Sequence, residues 1–166
     1  MIAAFIFPRA IIMSEIESNL ERLGIELPDA PAPAANYVPW VKTGNLVFIS
    51  GQVTMGANGL EYQGKVGKDL GVEEGQAAAR LCAINLLAQL RSACDGDIER
   101  VRRCVKLGGF VNSTTDFENH PQVINGASDL LVEVLGDRGK HARFAVGAGS
   151  LPFNVAVEVD AVFEIE

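Results

Sequence analysis

The C-terminal stretch 155–165 constrains the fold more tightly than any other. Val155, Val157, Val159, Ala161 and Phe163 share one parity, and Ala156, Glu158, Asp160 and Glu164 share the other. Successive side chains of an extended strand point to opposite faces, so the pattern predicts a strand with one apolar face and one acidic face. An apolar sheet face has to be covered by a second layer. The sequence supplies that layer twice. Over 72–94, Ala77, Leu81, Ile84 and Ala88 recur at helical spacing, and Leu87, Leu90 and Cys94 widen the apolar arc. So broad an arc predicts a helix that meets both a sheet and something else. Over about 120–135, Val123, Ala127, Leu130 and Val134 mark a second buried face, and Pro121 suits the first turn.

The remaining elements follow from punctuation. Val101, Val105, Leu107 and Val111 share one parity and predict a strand over 101–113 with one face in the core. Strands are expected over 37–42 and 45–50, joined by Thr43-Gly44, and over 142–149. The unbroken apolar run Leu46 to Ile49 points to a strand covered on both faces. Residues 55–71 carry five glycines and read as a loop with a short strand near 60–64. The order ββ(β)αβαββ predicts an α+β fold, one mixed sheet with two helices on one face. Its other face is left bare, and oligomerisation is the simplest cover.

At 166 residues the chain has room for one main domain. Residues 1–12, MIAAFIFPRAII, are apolar but too short to span a bilayer, and they lack the basic start and cleavage site of a signal peptide. Residues 1–13 are therefore read as a non-native start or disordered tail, with translation beginning at Met13. Ser14 followed by Glu15 and Glu17 opens a helix that Gly24 closes, and three prolines in 28–35 form an arm. The division is thus a helix and Pro-rich arm over 14–34 and a domain over 35–166.

A formal charge of -7 argues against a sequence-independent grip on nucleic acid or on an anionic membrane. Cys82, Cys94 and Cys104 form no C-x-x-C pair and read as reduced core residues, which suits a reducing cytoplasm. Neither His120 nor His141 stands at a zinc-ligand spacing from a cysteine or another histidine. There is no nucleophile elbow, phosphate-binding loop or dinucleotide fingerprint.

Three motifs carry a resemblance. Tyr37 with Gly44-Asn45-Leu46-Val47-Phe48-Ile49-Ser50-Gly51-Gln52, then Val123-Ile124-Asn125, then His141-Ala142-Arg143-Phe144-Ala145-Val146 with Leu151-Pro152 and Val157-Glu158-Val159 occur in a consistent order. Together, across about 35–166, they resemble the reactive-intermediate deaminase family (Rid, or YjgF-like proteins, often labelled endoribonuclease L-PSP). The resemblance implies a homotrimer of chorismate-mutase-like subunits with active sites in the clefts between neighbours. It implies hydrolysis of enamines and imines such as 2-aminoacrylate to a 2-keto acid and ammonia, with no metal or organic cofactor.

Carried onto this sequence, the resemblance makes Arg143 the carboxylate anchor, since a guanidinium offers a planar fork. Glu158 becomes the residue that orients water or relays protons. Tyr37, Ser50 and Asn125 would complete the substrate cleft. His120 reads as part of a helix start, and Asp116 and Glu118 as solvated acids near it. Ala145 stands where many members carry cysteine, Thr54 where a proline is common, and the 14–24 helix is an addition. The alternatives are a non-catalytic trimer that binds a small carboxylate and a diverged member acting on another imine. The charge argues against an endoribonuclease.

Overall fold

The computed structural model describes residues 14–30 and 36–166. The reading of residues 1–13 and the 31–35 part of the Pro-rich arm lie outside the described residues. The elements run α1 (Glu15–Arg22), β1 (Trp40–Thr43), β2 (Leu46–Gln52), β3 (Met55–Gly56), β4 (Gly59–Leu60), α2 (Val72–Ala93), β5 (Val101–Asn112), α3 (His120–Leu135), β6 (Ala142–Ala148) and β7 (Val157–Ile165). Five strands form one sheet in the order β1-β2-β7-β5-β6. Only β5 and β6, linked through α3, run parallel. The sheet is mixed, as the element order predicts. No helix of the described residues is long and apolar enough to cross a membrane.

The alternating C-terminal strand becomes β7, the central strand. Val157, Val159, Ala161, Phe163 and Ile165 are buried under the helices, while Glu158 and Asp160 face the other way. α2 covers β7 and β2, and α3 covers β5 and β6. Close approach of the two helices depends on Gly126, where a Cβ would stand 2.0 Å from the Gln76 carbonyl oxygen. α2 begins where the Gly71 N–H donates to Glu74 Oε2 at 2.8 Å. α3 ends at Gly136, whose φ of +60° is the left-handed region glycine enters without strain.

α1 forms as its Ser14 cap and acidic first turn predict, and it packs on α3 rather than standing apart. Ile16 and Leu20 are buried, and Asn19 Nδ2 donates to the Val134 carbonyl at 3.0 Å. Arg138 reaches both Glu15 at 3.1 Å and Glu99 at 3.3 Å, tying the helix to the start of β5.

Four local expectations need correction. β2 is covered on one face only, because Phe48 of the Leu46 to Ile49 run points away from the helices and is exposed. The β1–β2 turn is Gly44-Asn45, not Thr43-Gly44, because Thr43 still pairs with Leu46. Glycine at the first turn position meets a φ of +58° there. Val105 is exposed rather than buried, because the β5–β7 register shifts at 101/103 and again at 104/106, which turns Cys104 inward. The 55–71 stretch is more ordered than a loop with one strand: β3 and β4 make a hairpin, and Val66 bridges to Ser113.

The sheet face away from the helices is open, and beside Glu158 and Asp160 it carries an exposed apolar patch. Val41, Phe48, Phe110 and Val146 are all exposed on it, and Phe144 stacks edge-on against Phe110 with ring centroids 5.2 Å apart.

Candidate active site

Arg143 lies on the edge strand β6 and pairs in register with Leu107, which in turn pairs with Ala161. Paired residues share a face, so Arg143 points toward the helical layer. There it is held by α3. Nη1 donates to Asn125 Oδ1 at 2.9 Å and to Ser128 Oγ at 3.0 Å, and Nη2 donates to the Pro121 carbonyl at 3.3 Å. Every one of these acceptors is neutral, and none of the ion pairs among the described residues includes Arg143. The guanidinium is therefore fixed in place while its charge is not spent on an acid. The Nε–H and one Nη2–H remain from its donor set, and together they form the fork that meets a carboxylate.

Asn125, expected to meet the ligand, accepts a hydrogen bond from Arg143 itself. Ser128 and His141 were not expected. His141 Nδ1 lies 2.6 Å from the Gly139 carbonyl, which can only accept, so Nδ1 carries the proton. In the neutral ring Nε2 then accepts from Ser128 Oγ at 3.0 Å, which frees the Ser128 lone pairs for Arg143. The donors run in one direction, from arginine to serine to histidine to main chain. Asn125 and Ser128 stand three residues apart on α3, which places them on one helix face. That spacing is the signal from which Ser128 could have been read.

Glu158 lies on the open face. It pairs in register with Phe110, which pairs with Val146. Its carboxylate rests on Gly51, where a Cβ would fall 2.1 Å from Glu158 Oε1. Burial, and secondarily the Asp160 carboxylate, push the Glu158 carboxyl above its ordinary value. Ser50 sits beside Gly51, but its hydroxyl donates to the Val38 carbonyl at 3.0 Å. It thereby pins the chain segment that carries Tyr37, whose side chain is 51% exposed.

The five candidate residues therefore fall into two groups. Arg143 and Asn125 form one on the helical side of β6. Glu158 and Ser50 belong to the other, around the β2–β7 seam, with Tyr37 on the segment that leads into β1. Two strand spacings, roughly 10 Å, and the sheet itself stand between Arg143 and Glu158. A single chain does not bring them around one small ligand.

His120 begins α3, as expected, and its Nε2 also lies 3.0 Å from Ser113 Oγ. Among the described residues no group of three or more His, Cys, Asp or Glu side chains is placed to hold a metal ion.

Known proteins resemble this chain in sequence and in structure. "Protein TCP17" of Trypanosoma cruzi is 48% identical over 156 residues, covering 93% of this chain and 97% of that protein. The crystal structure of protein Atu1372 of Agrobacterium tumefaciens, of unknown function, is 50% identical with a TM-score of 0.86, covering 91% of this chain and 92% of that one. A "putative endoribonuclease" of Shewanella oneidensis is 37% identical with a TM-score of 0.88, covering 92% of this chain and 100% of that one. Residues 17–165 match the family described as "YjgF/chorismate_mutase-like, putative endoribonuclease". The motifs around Ser50, Asn125, Arg143 and Glu158 lie within that span, and the chain belongs to the YjgF/Rid family.

Proposed function

We propose that this chain is a cofactor-independent enamine/imine deaminase that works as a homotrimer in the cytoplasm, with each active site shared between two copies. The observation that carries this reading is Arg143, fixed by three neutral acceptors with its charge unspent. Such a group waits for an anion, and the carboxylate of a 2-imino acid is the right shape for the free fork. Placing the Arg143 group of one copy against the Glu158 group of another supplies what one chain lacks. The exposed apolar sheet face gives copies a reason to associate. The three buried, unpaired cysteines suit a reducing compartment.

In this reading the substrate is the imine tautomer of a 2-aminoacrylate-like compound. Arg143 holds its carboxylate and turns the imine carbon toward a water. Glu158 accepts a proton from that water as oxygen bonds to the carbon and passes it to the imine nitrogen, giving a carbinolamine. The hydroxyl proton then moves by way of Glu158 to the amine nitrogen, the C–N bond breaks with its electron pair on nitrogen as the C=O bond forms, and ammonia leaves with the 2-keto acid behind. Imines already hydrolyse in water, so orientation and one positioned proton carrier are enough. The formal charge of -7 weighs against RNA as the substrate.

The test is a coupled assay in which a dehydratase generates 2-aminoacrylate and keto-acid release is followed. The protein is expected to accelerate release, and Arg143→Ala is expected to lower that acceleration by at least about tenfold, the worth of one charge-assisted pair. Circular dichroism and mass should stay those of the wild type. No acceleration by a folded assembly would overturn the deaminase reading and leave carboxylate binding or another imine in its place.

A further inference from the structure

An open strip leads away from Arg143 along β6. Arg143, Ala145 and Gly147 pair in register with Leu107, Gly109 and Val111. Leu107 and Val111 are buried under the helices, so the three β6 residues face the helical layer. Ala145 is only half-buried and Gly147 is exposed, which leaves the strand accessible beyond Arg143. The strip ends at a cavity of about 340 Å³ lined by Ser113, Thr114, Thr115, His120 and Gly147 among others. Arg143 and Gly147 stand about 13 Å apart along the strand. The guanidinium spans part of that distance, because it reaches the Pro121 carbonyl, and His120, the residue before Pro121, lines the cavity.

The far wall of this cavity is polar and held in place. Ser113 is 7% exposed, and its Oγ lies 3.0 Å from His120 Nε2. The Phe117 and His120 rings meet edge to face with centroids 5.2 Å apart. Gly147 makes room for the imidazole, since a Cβ there would fall 2.5 Å from His120 Nε2. The serine–histidine bond can run in either direction, so Ser113 can turn a lone pair or its hydrogen toward a ligand. Charges of both signs stand near the wall. Asp116 takes the Thr114 hydroxyl, Glu118 is exposed next to Phe117, and the Lys65 ammonium is bonded to the Gly149 carbonyl. A neutral end group that both donates and accepts suits such a wall better than an ion.

We propose that this cavity is the side-chain subsite of the deaminase site, and that the preferred substrate is a 2-imino acid whose side chain ends in a neutral hydrogen-bonding group such as a carboxamide. The inference rests on Arg143 as the carboxylate anchor. The carboxylate sits on the Arg143 fork, the chain passes over Ala145 and Gly147, and the end group meets Ser113 and His120. The one-carbon side chain of 2-aminoacrylate would leave the cavity to water, although its volume is that of a small-molecule site.

The experiment keeps turnover out of the measurement. The full chain is titrated with three stable carboxylates, glutaramate, its apolar isostere 5-methylhexanoate, and glutarate, and followed by backbone amide NMR. Glutaramate is expected to shift the Ala145 and Gly147 amide signals saturably and to bind about tenfold more tightly than either of the others. His120→Ala and Gly147→Ala are each expected to bring the ratio of glutaramate to 5-methylhexanoate affinity to about one while 5-methylhexanoate still binds. Arg143→Ala is expected to weaken all three ligands. Equal binding of glutaramate and 5-methylhexanoate, tighter binding of glutarate, a preference that survives both changes, or binding indifferent to Arg143 would each overturn the subsite. Imine hydrolysis is read separately. A glutaramate preference without acceleration would sink the deaminase reading and leave the subsite, and acceleration without the preference would do the reverse.

Discussion

Glu158 carries its proton more tightly in the fold than in the unfolded chain, because burial and the nearby Asp160 carboxylate both oppose its charge. A carboxyl raised in this way contributes stability below the ordinary carboxylate range, and that contribution is lost as pH climbs through the raised folded value. Glutamine has no proton to lose. Glu158→Gln is therefore expected to gain stability relative to the wild type as pH rises from about 4 to about 8, measured by urea unfolding of both proteins at the two values. A difference that stays flat or reverses would show that the carboxylate is better accommodated than its surroundings suggest. The same change removes the proposed proton carrier, so activity should fall where stability rises. Arg143, Asn125 and Glu158 stand out in the sequence because motif neighbours surround them, and the structure brings Arg143 and Asn125 together while Glu158 lies apart on the open face. His141 was not legible as a support. Its role depends on the short 136–139 turn bringing Gly139 back under the ring, a tertiary fact that spacing along the chain does not display.

At the scale of elements, α1 behaves as part of the body and not as an appendage. Ile16 is fully buried, its backbone N–H donates to Glu99 Oε1 at 2.5 Å, and Arg138 bridges Glu15 and Glu99. Ile16→Ala is expected to cost about 2–5 kcal/mol, the usual range for emptying a packed aliphatic site, read as a lower urea midpoint for the single unfolding transition. An unchanged midpoint, or a separate early transition, would mean that α1 docks only loosely. The order of strands and helices was readable from period and punctuation, because a period of two or of 3.6 survives tertiary context wherever an element stays regular. Val105 marks where that reading stops. Two register shifts in β5 each advance the strand by one residue against β7, and parity reverses at each. Nothing in the stretch Arg102-Arg103-Cys104-Val105 announces a bulge, so only the partner strand reveals it. The Gly44-Asn45 turn was misplaced by one residue for a related reason: Thr43 suits a strand end and a turn about equally, and its pairing with Leu46 decides the matter.

For the whole molecule, the sheet carries two groups of candidate residues on opposite sides, and its open face holds exposed apolar side chains that a lone copy leaves in water. If each active site is shared, the Arg143 group and the Glu158 group of one chain serve different sites, and that arrangement has a sharp consequence. Arg143→Ala and Glu158→Gln should each lower activity at least about tenfold alone. Unfolded together in equal amounts and refolded, they should form mixed assemblies in which some clefts receive an intact Arg143 from one variant and an intact Glu158 from the other. With random mixing, about one quarter of the clefts combine the two intact groups. Keto-acid release by the refolded mixture should therefore recover to about one quarter of the wild-type rate, while the same variants mixed without unfolding keep their lowered rate until copies exchange. If both groups acted within one chain, every cleft in the mixture would carry a defect and no recovery would follow. The apolar face adds a second reading to the same samples. A charge placed at Phe48, as in Phe48→Glu, should block assembly and remove the recovery together, because Phe48 lies 45% exposed on that face and its register partner Val162 stands four residues from Glu158.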